Sequence, residues 1–260
     1  MSNNYQPFLN KFFNRLLELR HTSSHLNSVL KQTIKRITGL KKIAFVSASS
    51  LVISDWTGPT DKGWTINYHT GVSKITYIKD YEQEVELIIS YQCCYSFAQS
   101  FEALETFFKD CIYFKSQNDK DYIEKIKSSV KGSINRQNIP GGYLLFKFIK
   151  LACNDTFKQY STRNNRNIKF NEFWTVLSEV RHSVIHSSSI IEIAKLKKTD
   201  YHFDVFKYFF NYTQLNGGSI QISLDYQKLD YLIKAISEFG YQIFKVLSIT
   251  DKLEWDMLTK

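Results

Sequence analysis

The chain has 260 residues, 43% of them hydrophobic, and its 34 basic and 25 acidic side chains leave a net charge of +9. That apolar share supports a sizeable core and excludes disorder as the default, while three prolines and ten glycines argue against a loop-dominated fold. No run of about 18 uncharged apolar residues occurs, and the opening "MSNNYQPFLNKFF" lacks the basic, apolar, small-residue order of a secretory signal, so a soluble cytoplasmic protein is expected.

The charge is unevenly spread. Residues 1–50 hold eight Lys/Arg against Glu18, and residues 115–170 hold twelve against four acids, while residues 51–114 hold four against nine. Clustered cations displace counterions from a nucleic acid, which suits a phosphate-binding protein; solvated helix faces produce the same pattern.

Along the chain, Phe12, Leu16, Leu19, Leu26, Leu30 and Ile34 recur at helical spacing, predicting one basic helix or two broken at "HTSSH". Residues 43–79 are β-branched, with "WTGPTDKGW" and "HTG" as turn signals, and predict a hairpin or a three-stranded sheet. From Tyr81 to Ser116 neither Gly nor Pro appears, which reads as one long or two consecutive helices. A helix "DYIEKIKSSVK" ending at Gly132 and an apolar helix from Tyr143 to about Tyr160 follow, then a basic loop, "STRNNRNIKFN", with Arg163, Arg166 and Lys169. A further helix starts near Asn171. After the strand-like "GGSIQIS", Asp225 is placed to cap a helix striped with Leu229, Ile233, Ile236, Ile243 and Leu247. The resulting expectation is a mainly α fold in three parts: a basic helical arm over 1–42, a small β-rich module over 43–79 and a helical bundle over 80–260.

The four cysteines, Cys93 and Cys94 adjacent among them, form neither a disulfide framework nor a Cys-x-x-Cys site, which fits a reducing compartment. The six histidines are more informative. "SEVRHSVIHSSSII", residues 178–191, places Arg181, His182 and His186 within six positions, and "LELRHTSSH" repeats the spacing with Arg20, His21 and His25. At 3.6 residues per turn, Phe173, Leu177, Val180 and Val184 share one stripe, with His182 and His186 opposite, beside Thr175 and Ser178. Two imidazoles four residues apart can share a metal, but "HSVIH" lacks the Glu after its first His that a zinc-protease helix carries, and no metal or other cofactor is expected.

"EVRHSVIH" resembles the signature of the HEPN superfamily, an Arg followed four to six residues later by His, with a polar residue directly after the Arg. "SFEALETFFKDCI" and "ISLDYQKLDYLIKAISEFGYQIF" are similar to an early and a closing helix of the HEPN bundle, so the likeness spans roughly residues 80–250. It implies a HEPN-like helical bundle, commonly homodimeric, and a metal-independent endoribonuclease of the toxin–antitoxin or antiviral-defence type. Arg181 and His186 would be catalytic and His182 would take the polar position. The chemistry suits these groups. Cleavage by the RNA 2′-hydroxyl needs proton transfer, which an imidazole titrating near about pH 6.5 supplies, and charge stabilisation, which a guanidinium supplies.

Five residues along a straight helix rotate by about 140°, so Arg181 and His186 need either a deformed helix near "HSSS" or two copies sharing one cleft. The implied partners are RNA, a second copy of the chain and an antitoxin, with no membrane. Arg163, Arg166 and Lys169, and more weakly Arg20 and His25, are the candidate nucleic-acid contacts. The competing reading is a noncatalytic HEPN module that binds nucleotide or nucleic acid or assembles with a partner.

Overall fold

A computed structural model describes residues 3–40, 45–54, 58, 61–63, 67–130 and 133–256, and these fall into two units. One comprises residues 1–24 and 90–260, the other residues 25–89. The described residues are mainly helical, with one two-stranded and one three-stranded antiparallel sheet. No helix among them is long and apolar enough to cross a membrane.

The helical unit takes in the first half of α1 (Gln6–Thr38), which runs unbroken through "HTSSH". The expected separate arm is therefore divided: Tyr5, Leu9, Phe12, Leu16 and Leu19 are buried, whereas Leu26, Leu30 and Ile34 are only half-buried. The apolar stripe is continuous in sequence, but only its first half is covered. α2 (Tyr81–Asn118) is a single helix, followed by α3 (Lys120–Lys127), whose N-cap Asp119 accepts from Tyr122 N at 2.9 Å. The expected stop at Gly132 lies outside the described residues.

The expected apolar helix from Tyr143 to Tyr160 is two pieces, α4 (Gly142–Cys153) and α5 (Thr156–Ser161). The break falls at Asn154, which sits at φ 49° between them. With ψ at −146° this is a backbone that residues other than glycine seldom adopt, and it ends the helical run. α6 (Phe170–His186) carries the motif and buries Phe173, Trp174, Leu177, Val180 and Val184. Next come β3 (Ile190–Glu192), α7 (Ile193–Leu196), α8 (Asp200–Phe209), β4 (Asn211–Gln214), β5 (Ser219–Ser223) and α9 (Tyr226–Thr250). β5 lies between β3 and β4, antiparallel to both, and buries Ile220 and Ile222.

α9 begins as its sequence indicates, with Asp225 Oδ1 accepting from Lys228 N at 2.8 Å. Its stripe residues Leu229, Ile233, Ile236, Ile243 and Leu247 are all buried. Trp174 stacks between Phe108 (centroids 5.4 Å apart) and Phe146 (5.1 Å), while Phe239 meets Phe170 edge-on at 4.8 Å and Phe173 at 5.5 Å. Each such pair contributes about 0.5–1.5 kcal/mol beyond its buried area, so this cluster fixes how α6 lies against α9.

In the second unit β1 (Phe45–Ser54) pairs antiparallel with β2 (Asn67–Tyr77). Among the described residues this is the hairpin alternative. "HTG" is no turn: it lies inside β2, where Gly71 at φ 75° accompanies a register shift between Ser50↔Ser73 and Val52↔His69. A glycine without a Cβ reaches that backbone readily, so the signal marks a bulge.

Candidate active site

Arg181, His182 and His186 stand on the second half of α6, which is α-helical through His186. Arg181 lies on the flank of the buried face and is half-buried, while His182 and His186 are exposed. The imidazole centroids are 4.8 Å apart with the rings tilted by 47°. Arg181 Nε is buried with no hydrogen-bond partner, and Glu179, the nearest acid in sequence, is engaged by Lys198 at 3.0 Å. A guanidinium is charged at any physiological pH and its fork of N–H donors matches phosphate oxygens.

The end of the motif helix is firmly anchored. Ser188 and Ser189 stand at φ 50° and 63°, an unfavourable conformation for serine that the surroundings hold in place. Ser187 N and Ser189 N donate to Ser183 O at 2.9 and 3.1 Å, and Ser183 Oγ donates to Ile190 O at 2.9 Å. Ile222 N and Gln221 Nε2 then donate to Ser189 O and Ser188 O at 2.8 and 3.0 Å, fastening the turn to β5. His186 thus sits at the last residue of a helix whose exit is pinned to a sheet.

Because α6 is regular through "RHSVIH", the deformed-helix route to a shared phosphate is not found. On one chain Arg181 and His186 point about 140° apart. Among the described residues no group of three or more His, Cys, Asp or Glu is placed to hold a metal.

The other candidates are dispersed. Arg163 is exposed in the loop before α6, whose shape is set by the Asn164 amide. Asn164 Nδ2 donates to Tyr160 O (3.1 Å) and Ile168 O (2.7 Å), and its Oδ1 accepts from the backbone N of Arg166 (3.2 Å) and Ile168 (3.3 Å). Arg166 is engaged by both carboxylate oxygens of Glu238 and lies over the Tyr231 ring at 4.8 Å. Lys169 is exposed, with its ammonium 4.8 Å from the Tyr201 centroid. In the echo motif, Arg20 pairs with Asp230, which also takes Lys234 at 2.7 Å, and His21 and His25 are exposed.

A feature the sequence reading missed adjoins the Arg163 loop. A half-open cavity of about 470 Å³ is walled by Phe170, Phe173 and Phe239 and edged by Arg163, Gln242 and Lys245. Its sequence signal is slight: Gln242 falls three and seven residues after the buried Phe239 and Ala235, a polar side chain on an apolar helix face.

Comparison with known proteins adds no name to this geometry: the chain matches no family model, no curated protein and no solved structure.

Proposed function

We propose that the protein is a metal-independent endoribonuclease of the HEPN type, working as a pair of chains within a toxin–antitoxin or phage-defence system. The observation that carries the proposal is the pairing, on one uninterrupted helix, of Arg181 with its unpartnered Nε and the exposed imidazoles of His182 and His186. In this reading the RNA 2′-hydroxyl attacks the adjacent phosphorus and the P–O5′ bond breaks, giving a 2′,3′-cyclic phosphate and a 5′-hydroxyl. His186 moves the proton, and Arg181 stabilises the charge on the phosphorane oxygens. The divergence of the two side chains calls for Arg181 of one chain and His186 of a second at each phosphate, with His182 lining the same cleft. Exposed Arg163 and Lys169 would guide the strand toward it, and an antitoxin would cover the basic surface. The four buried free cysteines suit a reducing cytoplasm.

The test is cleavage of total cellular RNA in EDTA by the wild type, Arg181→Ala and His186→Ala. Loss of a general acid–base group costs about 10²–10⁴-fold in rate, so wild type should cut and both variants should be near background. Three proteins behaving alike would replace this reading with the noncatalytic module.

A further inference from the structure

His182 and His186 are one turn apart on α6, and that arrangement has a second chemistry besides proton transfer. Neutral imidazole is the commonest ligand of divalent transition metals, and two of them at i and i+4 share one side of a helix. α6 stays regular through His186, and its exit is fastened to β5 through Ser188 and Ser189, so the backbone positions of the pair are fixed before any ion arrives.

Coordination geometry sets the ring separation that a shared ion requires. Metal–nitrogen bonds of about 2.0–2.1 Å put each ring centre about 3.2 Å from the ion, so N–metal–N angles of about 90–109° hold the two centres about 4.5–5.2 Å apart. The imidazole centroids stand 4.8 Å apart, already within that span. An ion bound in the plane of both rings also requires the planes to intersect, and they are tilted by 47°. Both rings are exposed, and solvent gives them room to turn a nitrogen toward one ion. The donor set stops at two: Glu179, the acid one turn earlier, is engaged by Lys198 at 3.0 Å, and among the described residues no third His, Cys, Asp or Glu completes a metal-holding group.

We infer that His182 and His186 of each chain bind one divalent transition-metal ion, with water in the remaining positions, and that the bound ion switches cleavage off. A coordinated ring nitrogen has no lone pair left to accept a proton, so the ion is an inhibitor and cleavage itself needs none. The binding stands without the nuclease reading, whereas the inhibition rests on it. Mg²⁺ and Ca²⁺ prefer oxygen ligands and are poor occupants, and affinity should rise from Mn²⁺ through Co²⁺ to Ni²⁺.

The experiment is calorimetric titration of the untagged full chain with NiCl₂, ZnCl₂, MnCl₂ and MgCl₂. Every protein carries His21→Ala, which removes the other exposed histidine pair at this spacing, His21 and His25 on α1. Ni²⁺ and Zn²⁺ should bind at one ion per chain, Mn²⁺ more weakly and Mg²⁺ not at all. Loss of an outer partner of a ligand already costs about 10–100-fold in metal affinity, so His182→Ala and His186→Ala should each weaken Ni²⁺ binding by at least about tenfold. The thermal midpoint should rise with Ni²⁺ in the parent and not in the two variants. The inference is overturned if Ni²⁺ fails to bind below about 1 mM, or if both variants bind it as the parent does.

RNA cleavage by the parent is then followed in EDTA and with the site filled by Ni²⁺. Activity lost over the concentrations that fill the site, and restored by EDTA, supports the switch; full activity with the site filled overturns it. A chain that binds Ni²⁺ through both histidines but never cuts RNA refutes the nuclease reading, and the switch with it, while the metal site stands.

Discussion

Gly240→Ala on α9 probes how the first 24 residues are built into the helical unit. A Cβ placed at Gly240 would lie 2.4 Å from Phe12 Cε1 and 3.0 Å from its Cζ. Carbon atoms settle near 3.5–4.0 Å, so the Phe12 ring would have to retreat by about 1 Å. It has no easy retreat: Phe12 is 2% exposed, stacks on Phe107 at 5.3 Å and touches Phe13 at 5.6 Å. Overpacking a filled core costs about 1–3 kcal/mol, and a displacement of this size belongs at the upper end. Replacing a mid-helix glycine by alanine returns about 1 kcal/mol of helix propensity. The net is a loss of about 2 kcal/mol, or about 4–8 °C in Tm. In a Phe12→Ala background the obstacle is gone, so the same substitution should stabilise by about 1 kcal/mol, giving a coupling of about 3 kcal/mol between the two sites. Urea unfolding of the four proteins measures the cycle. Equal effects of Gly240→Ala in both backgrounds would refute the packing of α1 against α9.

Three further outcomes are expected. Asp119 and Asp230 titrate below the ordinary 3.8: burial alone would raise both, but Tyr122 N–H and Lys115 at one site, and Arg20 and Lys234 at the other, outweigh it. Because the folded values are depressed, the stabilisation is present above pH 4 or so and disappears as pH falls through them; Asp119→Asn and Asp230→Asn should lower neutral stability and flatten the acid limb of a denaturation series. Asn164→Ala removes the amide that makes four hydrogen bonds in its loop and should cost about 1–3 kcal/mol, read by chemical unfolding. Burial pushes the thiols of Cys93 and Cys94 up to about 12 and raises Cys111 and Cys153 as well, so a thiol reagent at about pH 8 should modify none of the four in the native protein and all of them in urea.

The elements legible in the sequence are those whose signal is local. The α9 stripe and its Asp225 cap, the β1–β2 hairpin and the polar loop before α6 all follow from spacing and turn residues within one short window. The three-stranded sheet does not: β3 and β4 have three and four residues, too few for a period, and although β4 and β5 form a local hairpin, β3 reaches β5 only across the whole of α7, α8 and β4. The Asn154 break between α4 and α5 interrupts an apolar run with an asparagine at positive φ, a conformation that composition does not announce.

The candidate site divides along the same line. The outward facing of His182 and His186 follows from helical periodicity alone. That Arg20 is tied to Asp230 and Arg166 to Glu238 could not be read from a linear chain, because those partners stand 210 and 72 residues away. The aromatic cavity is assembled from segments roughly seventy residues apart, and only Gln242, out of place on an apolar stripe, hints at it.

The proposed catalytic site takes Arg181 from one chain and His186 from another. Its most direct test mixes Arg181→Ala with His186→Ala, allows the subunits to reassort, and measures RNA cleavage in EDTA. Half of the reassorted dimers would carry both variants, and each would contain one complete site, so activity should return to about a quarter of wild type although neither variant cuts alone. An active wild type whose two variants stay inactive after mixing would contradict a site shared between chains.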